Sequence, residues 1–549
     1  MKTGAQLFVE CLVTHGVKII FGIPGAKIDS VFDALLDSPI KLIVCRHEQN
    51  AAFMAAAYGR LTGKPGVVLV TSGPGVSNLA TGLLTATTEG DPVIAIGGSV
   101  PRNMKLKESH QNTDNIKLME AVTKARMEVL MVENIPEVIE NAFRSATRPR
   151  SGAVFISLPQ DVLKETTRTI APIPLPSPHG GYAPDTDIDY AVNILHTATF
   201  PVLFLGAEAS KPANTAMIRT LLSHHPLPTI STYQAAGAIS RDLEKYFIGR
   251  VGLFKNQPGD KALEAADVVI TVGYNPVEYD PEIWNTSKQK KIIHIDYNPA
   301  VAHATYLPAR EIIGDIALNI EKILPLLGKS KPYNLPSPVK KAQEALLADI
   351  QRGATYSGER IHPLRFIHDL RTVTSDADTV ISDIGSHYIW LARYFYVYEP
   401  HHLLFSNGQQ TLGVALPWAI ATRFARPHGA IISISGDGGF LFSATELETA
   451  VREKIPLVHC VWCDGTYNMV LEQEIMKYKR ESAVRFGSVD IIKFAEAFGA
   501  QGFKIQHADE LLPTLKKAIG LKAPTLIEVP IDYSDNPNLF KTVHEHVGN

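Results

Sequence analysis

Two aspartates and a run of glycines carry the clearest chemistry in this chain. Gly436-Asp437-Gly438-Gly439 is followed by Asp464-Gly465-Thr466. Glycines let backbone N–H groups approach an anion closely. Asp437, Asp464 and the Thr466 carbonyl make the all-oxygen set that Mg²⁺ prefers when it also holds a diphosphate. Each aspartate follows an apolar run of strand length. Ile431-Ile432-Ser433-Ile434-Ser435 reads as one buried strand, and Leu457-Val458-His459-Cys460-Val461 as the next. Two unrelated strand-end aspartates are the competing reading, and the agreement of spacing with flanking strands argues against it.

The elements that position these groups follow from alternation. Strand patterns at Val17 to Phe21, Lys41 to Cys45 and Val67 to Thr71 alternate with helical patterns at Ile28 to Leu36 and Asn50 to Thr62. Such alternation predicts a parallel sheet with helices on both faces. A second block has strands at Val202 to Leu205, Val268 to Thr271 and Ile292 to Ile295, and a third begins near His362. Pro172, Pro174, Pro176, Pro178 and Pro184 read as one linker, and Pro332, Pro336 and Pro338 as another. The expected fold is α/β, with three doubly wound parallel-sheet domains over 1–175, 186–330 and 359–549. The first and third blocks share an apolar strand running into a glycine turn, Gly66 to Gly75 and Ala430 to Gly439, a faint internal repeat.

Composition narrows the function. The chain has 549 residues, room for about three domains, and a net charge of −3 without charge blocks. That balance gives no footprint for nucleic acid. No apolar run approaches the roughly 18 residues of a membrane span. The start, Met1 to Gln6, enters an amphipathic pattern containing Glu10 without a signal-peptide core, so a soluble, cytoplasmic protein is expected. Four cysteines make no disulfide framework. Cys460 and Cys463 form a C-x-x-C, but on a strand residues three apart face opposite sides. Gly59 to Lys64 has the wrong glycine spacing for a P-loop, and Pro65 stands where a metal-binding hydroxyl belongs. No dinucleotide fingerprint, nucleophile elbow or H-E-x-x-H motif is present. His544-Glu545-His546 reads as a solvated tail.

Taken together these residues resemble the thiamine-diphosphate enzymes. Gly436-Asp437-Gly438 and Asp464-x-Thr466 are similar to their metal–diphosphate motif. Phe21-Gly22-Ile23-Pro24-Gly25, Arg46-His47-Glu48-Gln49-Asn50 and Thr71-Ser72-Gly73-Pro74-Gly75 resemble their pyrimidine domain. Over nearly the whole chain the likeness is to the catabolic, FAD-independent acetolactate synthases. It includes Gly25 to Asp29, Gly408 to Trp418 and Asp532 to Asn536. The resemblance implies a pyrimidine-binding domain, a central domain without cofactor and a diphosphate-binding domain. It also implies a homodimer as minimal active unit and usually a tetramer, with the coenzyme between the first domain of one subunit and the third of another.

The same resemblance assigns roles. Glu48 would hydrogen-bond the pyrimidine and promote loss of the thiazolium C2 proton. Read from the residues alone, Glu48 is equally a buried catalytic acid or a helix-N-terminal carboxylate. Leu412 would prop the folded coenzyme, where a core leucine is the plainer reading, and Gln410 would address the pyrimidine by its backbone. Pro24, Thr71 and Asn78 would line the pyrimidine side. Gly385, Ser386, His387, Gly436, Gly438, Gly439, Tyr467, Asn468 and Met469 would line the diphosphate, with Mg²⁺ on Asp437, Asp464 and Thr466. Two pyruvates would be joined into 2-acetolactate with loss of carbon dioxide, for acetoin and butanediol formation or branched-chain amino acids.

Three positions bear on the outcome. His110-Gln111 replaces the His-His pair of pyruvate decarboxylases, which removes a proton donor, and Gln111 would bond substrate. Gln473 stands where biosynthetic acetohydroxyacid synthases carry a tryptophan that favours 2-ketobutyrate. Lys27 would face the substrate carboxylate, with a solvated lysine as the competing reading. Cys463 and Asp464 depart from the commoner Asn residues, adding a negative charge. FAD is not expected. A flavin-containing pyruvate oxidase and a non-catalytic relative are the rivals, and a yellow preparation or failure to bind thiamine diphosphate would favour them respectively.

Overall fold

The computed structural model describes residues 1–176, 180–328 and 333–543. Pro178, Pro332 and the His544-Glu545-His546 tail lie outside them. Three six-stranded sheets carry the fold, each parallel throughout. In chain order the first contains Ile19–Ile23, Lys41–Val44, Gly66–Val70, Val93–Ser99, Ala125–Glu128 and Ala153–Pro159. The central sheet contains Pro201–Leu205, Thr229–Ser231, Phe247–Arg250, Val268–Val272, Lys291–Asp296 and Arg310–Ile313. The third contains Thr379–Ser382, Leu403–Leu404, Ile431–Gly436, Val458–Cys463, Gln501–Lys504 and Thr525–Pro530.

Numbered within each sheet, the first and third share one order, 2-1-3-4-6-5, whereas the central sheet runs 3-2-1-4-5-6. The glycine-turn likeness between Gly66–Val70 and Ile431–Gly436 therefore marks the same strand, the third, of two equivalent sheets. In both, the order reverses between strands 1 and 3. In open α/β sheets that reversal opens a crevice at the carboxyl ends of the strands, where ligands bind.

Local sequence explains these elements. Strands such as Gly66–Val70, Pro201–Leu205 and Val268–Val272 are buried at every position, as parallel strands covered on both faces must be. The helix Glu48–Thr62 is alanine-rich and buried along Asn50 to Ala57, and Gly63 ends it at φ +68. One proline assigned to the second linker belongs to a helix instead. Pro338 lies in the first turn of Ser337–Arg352, where no N–H is needed from proline, and Pro336 stands just before that helix. Pro184 likewise stands just before Asp185–Thr197.

By contacts, two compact units form. One holds Met1–Pro178, Gly408–His428 and Leu441–Ile455, and the other holds His179–Asn407, Gly429–Phe440 and Pro456–Asn549. The first is built around an aliphatic core from Ala5 to Leu163. In it the helix Ala415–Ala425 packs on Glu48–Thr62. No helix of the described residues is long and apolar enough to cross a membrane.

Candidate active site

In the second unit, Asp437 and Asp464 stand just past two adjacent parallel strands, paired through Gly436 and Trp462. The Asp437 carboxylate accepts from the amides of Gly438 (3.0 Å), Gly465 (2.8 Å) and Asp464 (3.2 Å). Asp464 accepts from Thr466 Oγ1 (2.5 Å) and Asn468 Nδ2 (3.0 Å). Burial, reinforced by the neighbouring Asp464 charge, pushes the Asp437 carboxyl up to about 6, and burial also raises Asp464. Among the described residues no basic side chain forms an ion pair with either acid. The Thr466 carbonyl accepts no hydrogen bond there, while the flanking Gly465 carbonyl and Tyr467 amide are taken by Phe486 and Val484. Two crowded acids and a spare carbonyl suit a divalent cation that completes its shell with ligand oxygens. The residues present fit Mg²⁺ in that sense. No cluster of three His, Cys, Asp or Glu side chains suited to a metal occurs among the described residues.

Further residues of the second unit close around the turn. Gly385 precedes the helix Ser386–Tyr394 at φ +150, and a Cβ on it would meet the His387 ring at 2.8 Å. Ser386 Oγ donates to Asn468 Oδ1 (2.7 Å), which also accepts from Asn536 Nδ2 (2.6 Å). Asn536 is buried and held in turn by Trp390 Nε1 (2.7 Å). The sequence places this anchor within a family-like stretch but does not mark it as a site residue. His387 is fully buried, and burial lowers it to about 3, so the ring is neutral. One ring nitrogen donates to the Asp383 carbonyl, leaving Nε2 as a buried acceptor without a partner. His387 therefore offers a lone pair, not positive charge. Gly438 is required by the Tyr467 ring, which would lie 2.7 Å from a Cβ at that position. Tyr467 is exposed, and Asn468, Met469 and Gln473 are half-buried, the last two one turn apart on the helix Asn468–Tyr478. Cys460 and Cys463 are free thiols raised by burial.

The first unit assembles the other group. Glu48 is the first residue of its helix, and its carboxylate accepts from Asn78 Nδ2 (2.9 Å). It is half-buried, less covered than the small residues following it suggest. Gly25 packs against Thr71, whose Oγ1 is buried without a partner, and Pro24 is exposed beside it. Ser72 Oγ donates to Gln111 Oε1 (3.2 Å), and Gln111 adopts φ +57. Lys27 is half-buried without an ion-pair partner among the described residues.

Gln410 lies at φ +50 in a segment pinned to the helix Ala80–Glu89. Glu89 Oε1 accepts from the Gly408 amide (2.7 Å), and Thr85 bonds Thr411 (2.8 Å). Leu412 is half-buried rather than a core residue. Glu89 also joins Arg60, which makes a paired contact to Asp91 at 2.8 and 2.9 Å.

Sequence reasoning missed Glu446. It is fully buried and bonds the Arg46 and His47 amides at 2.9 and 3.2 Å. Ser443-x-x-Glu446 has capping-box spacing, yet this carboxylate serves a different helix.

In the central sheet, one side chain ties together the segments that follow strands 1, 2 and 4. Glu278 is buried and accepts from the Ala207 amide (3.0 Å), Thr232 Oγ1 (2.6 Å) and the Asn275 amide (3.1 Å).

Comparison with known proteins agrees with this geometry. Residues 2–119 match the profile "Thiamine pyrophosphate enzyme, N-terminal TPP binding domain". Residues 188–323 match its central domain and 383–529 its C-terminal TPP binding domain. An acetolactate synthase of Bacillus subtilis (strain 168) is 51% identical over 544 residues, covering 98% of this chain and 94% of that one. A catabolic acetolactate synthase of Raoultella terrigena is 45% identical, covering 98% and 97%. A probable acetolactate synthase large subunit of Methanocaldococcus jannaschii is 32% identical, covering 96% and 92%. The chain belongs to the acetolactate synthase family of thiamine-pyrophosphate-dependent enzymes.

Proposed function

We propose that this protein joins two pyruvates into 2-acetolactate with loss of carbon dioxide, using thiamine diphosphate held through Mg²⁺. The observation that carries the reading is the Asp437–Asp464 turn, where two acids stand together, no basic side chain among the described residues pairs with either within ion-pair distance, and the adjacent Thr466 carbonyl carries no hydrogen bond. When bound, the coenzyme supplies a nucleophilic carbon and an electron sink. Asp437, Asp464 and Thr466 hold the metal, while Gly385, Ser386, Gly436, Gly438, Gly439, Tyr467, Asn468 and Met469 enclose the diphosphate. His387 adds shape and an acceptor.

Glu48 holds a proton toward the pyrimidine ring, with Asn78 fixing its carboxyl and Pro24 and Thr71 lining the same side. Gln410 and Leu412 set the coenzyme's conformation. Lys27 faces the substrate carboxylate. Gln111, oriented by Ser72, is an amide and supplies no acid to the reacting carbon, which favours ligation over acetaldehyde release. Gln473 leaves room shaped for pyruvate as acceptor.

Three further readings complete the proposal. The active unit is a homodimer, and a tetramer of two such pairs is its expected form. The helix Asn468–Tyr478 supports this, since it has no buried residue and leaves Val470, Ile475, Met476 and Tyr478 exposed. The enzyme works without FAD, a reading supported by Glu278 bonding the Ala207 amide at the switch point of the central sheet. It serves acetoin and butanediol formation in the cytoplasm, where four free cysteines are at home. The test is incubation with pyruvate, thiamine diphosphate and Mg²⁺ without flavin. Acetolactate, giving acetoin on acidification, is expected. Mainly acetaldehyde or acetyl phosphate would overturn the assignment.

A further inference from the structure

Glu446 is a carboxylate with no exposed surface, and both of its oxygens accept hydrogen bonds. Its Oε1 accepts from the Arg46 amide (2.9 Å), the His47 amide (3.2 Å) and Asn50 Nδ2 (3.2 Å). Its Oε2 accepts from Thr449 Oγ1 (2.7 Å). Arg46 and His47 are the two residues immediately before Glu48, and His47 is the N-cap of its helix. The same short helix that follows Glu446, Leu447–Arg452, also reaches the end of the preceding strand, where Arg452 Nη2 donates to the Val44 carbonyl. The turn from Val44 to Glu48 is thus gripped at both ends by one distant segment. Among the described residues no other acceptor satisfies the Arg46 and His47 amides, so removing Glu446 leaves two part-buried donors without the acceptor that fixes them.

We propose that Glu446 is a positioning residue for Glu48, fixing the turn that delivers the Glu48 carboxyl to the pyrimidine of thiamine diphosphate. This rests on the role of Glu48 proposed above. A capping bond alone stabilises a helix. Here the bonded amides belong to the two residues that lead directly into Glu48, the residue whose placement sets the chemistry, and a shift of about 1 Å at such a group costs on the order of a hundredfold in rate.

The test compares the full-length wild type with E48Q, E446A, E446Q and the E48Q/E446A double variant. Thiamine diphosphate binding with Mg²⁺ is measured by calorimetry, and deuterium exchange at C2 of the bound coenzyme by quenched NMR. E446A is expected to keep binding and to slow exchange about a hundredfold. E446Q should restore most of that loss, because its amide oxygen still accepts from Arg46, His47 and Asn50 while its NH₂ donates to Thr449. The double variant should exchange no more slowly than E48Q, since Glu446 acts through Glu48. Wild-type exchange in folded E446A, no recovery in E446Q, or losses that multiply in the double variant would overturn the proposal. Wild-type exchange in E48Q would instead overturn the reading of Glu48 itself. Should E446A fail to fold, E446D takes its place, its shorter arm withdrawing from both amides, with the same expected and contrary results.

Discussion

Arg60 offers the sharpest energetic prediction. Its guanidinium bonds Asp91 through two nitrogens at 2.8 and 2.9 Å, reaches Glu89 at 3.4 Å and lies 4.5 Å over the Trp418 ring. The Arg60, Glu89 and Asp91 side chains are 10%, 0% and 3% exposed, so this is not a screened surface pair. Arg60→Met leaves two buried acids without their cation. Breaking such a pair costs about 3–5 kcal/mol, and the lost cation–π contact adds about 0.5–2 kcal/mol. These losses overlap, so about 4 kcal/mol is expected for the unit containing them. The assay is urea unfolding followed by tryptophan fluorescence, with Asp91→Asn and the double variant completing a cycle. The double variant should be more stable than Arg60→Met alone, because it removes one stranded charge. Activity should fall too, since Glu89 holds the Gly408 amide ahead of Gln410 and Leu412. A cost for Arg60→Met within about 1 kcal/mol of zero, the range of an exposed pair, would refute the reasoning.

Other outcomes follow from the same geometry. Glu48→Gln should bind thiamine diphosphate normally and lose about 10²–10⁴-fold in turnover, read by calorimetry and acetoin assay. Asp464→Ala should raise the Mg²⁺ concentration needed for half-maximal coenzyme binding at least tenfold, about 1.4 kcal/mol in affinity, measured by titration. His459 is buried between Ser433 and Ser435, and burial lowers it to about 3. Its folded pKa lies below the unfolded value, so its stabilisation is complete above about 6.5 and is lost as pH falls toward 3. That loss reaches up to about 5 kcal/mol, and His459→Gln should flatten the acid limb of a stability–pH curve. Gln473→Trp should shift acceptor preference from pyruvate toward 2-ketobutyrate in a competition assay analysed by product ratio.

Much of this architecture is written locally, and the remainder is not. The third strand of each outer sheet is legible because Gly66–Val70 and Ile431–Gly436 are apolar runs ending beside glycine turns. The shared strand order that makes those sheets equivalent depends on non-local pairing, which a single sequence does not display. Pro338 misleads for a specific reason, since proline suits a linker and the first turn of a helix equally well. In the site, Asp437 and Asp464 can be read from spacing because each directly follows its strand. Glu446 cannot, because its partners Arg46 and His47 lie at the opposite end of the chain and its spacing from Ser443 suggests a local cap. Asn536 is hidden similarly, its bonds to Asn468 and Trp390 joining distant segments. The half-burial of Glu48, the first residue of its helix, is not specified by the flanking alanines.

A crystal structure of the protein grown with thiamine diphosphate and Mg²⁺ tests the central claim most directly. It should place the metal on Asp437, Asp464 and the Thr466 carbonyl of one copy. Glu48 of a second copy should lie within hydrogen-bonding distance of the pyrimidine ring. Coenzyme bound elsewhere, or a Glu48 carboxyl turned to bulk water, would contradict the account.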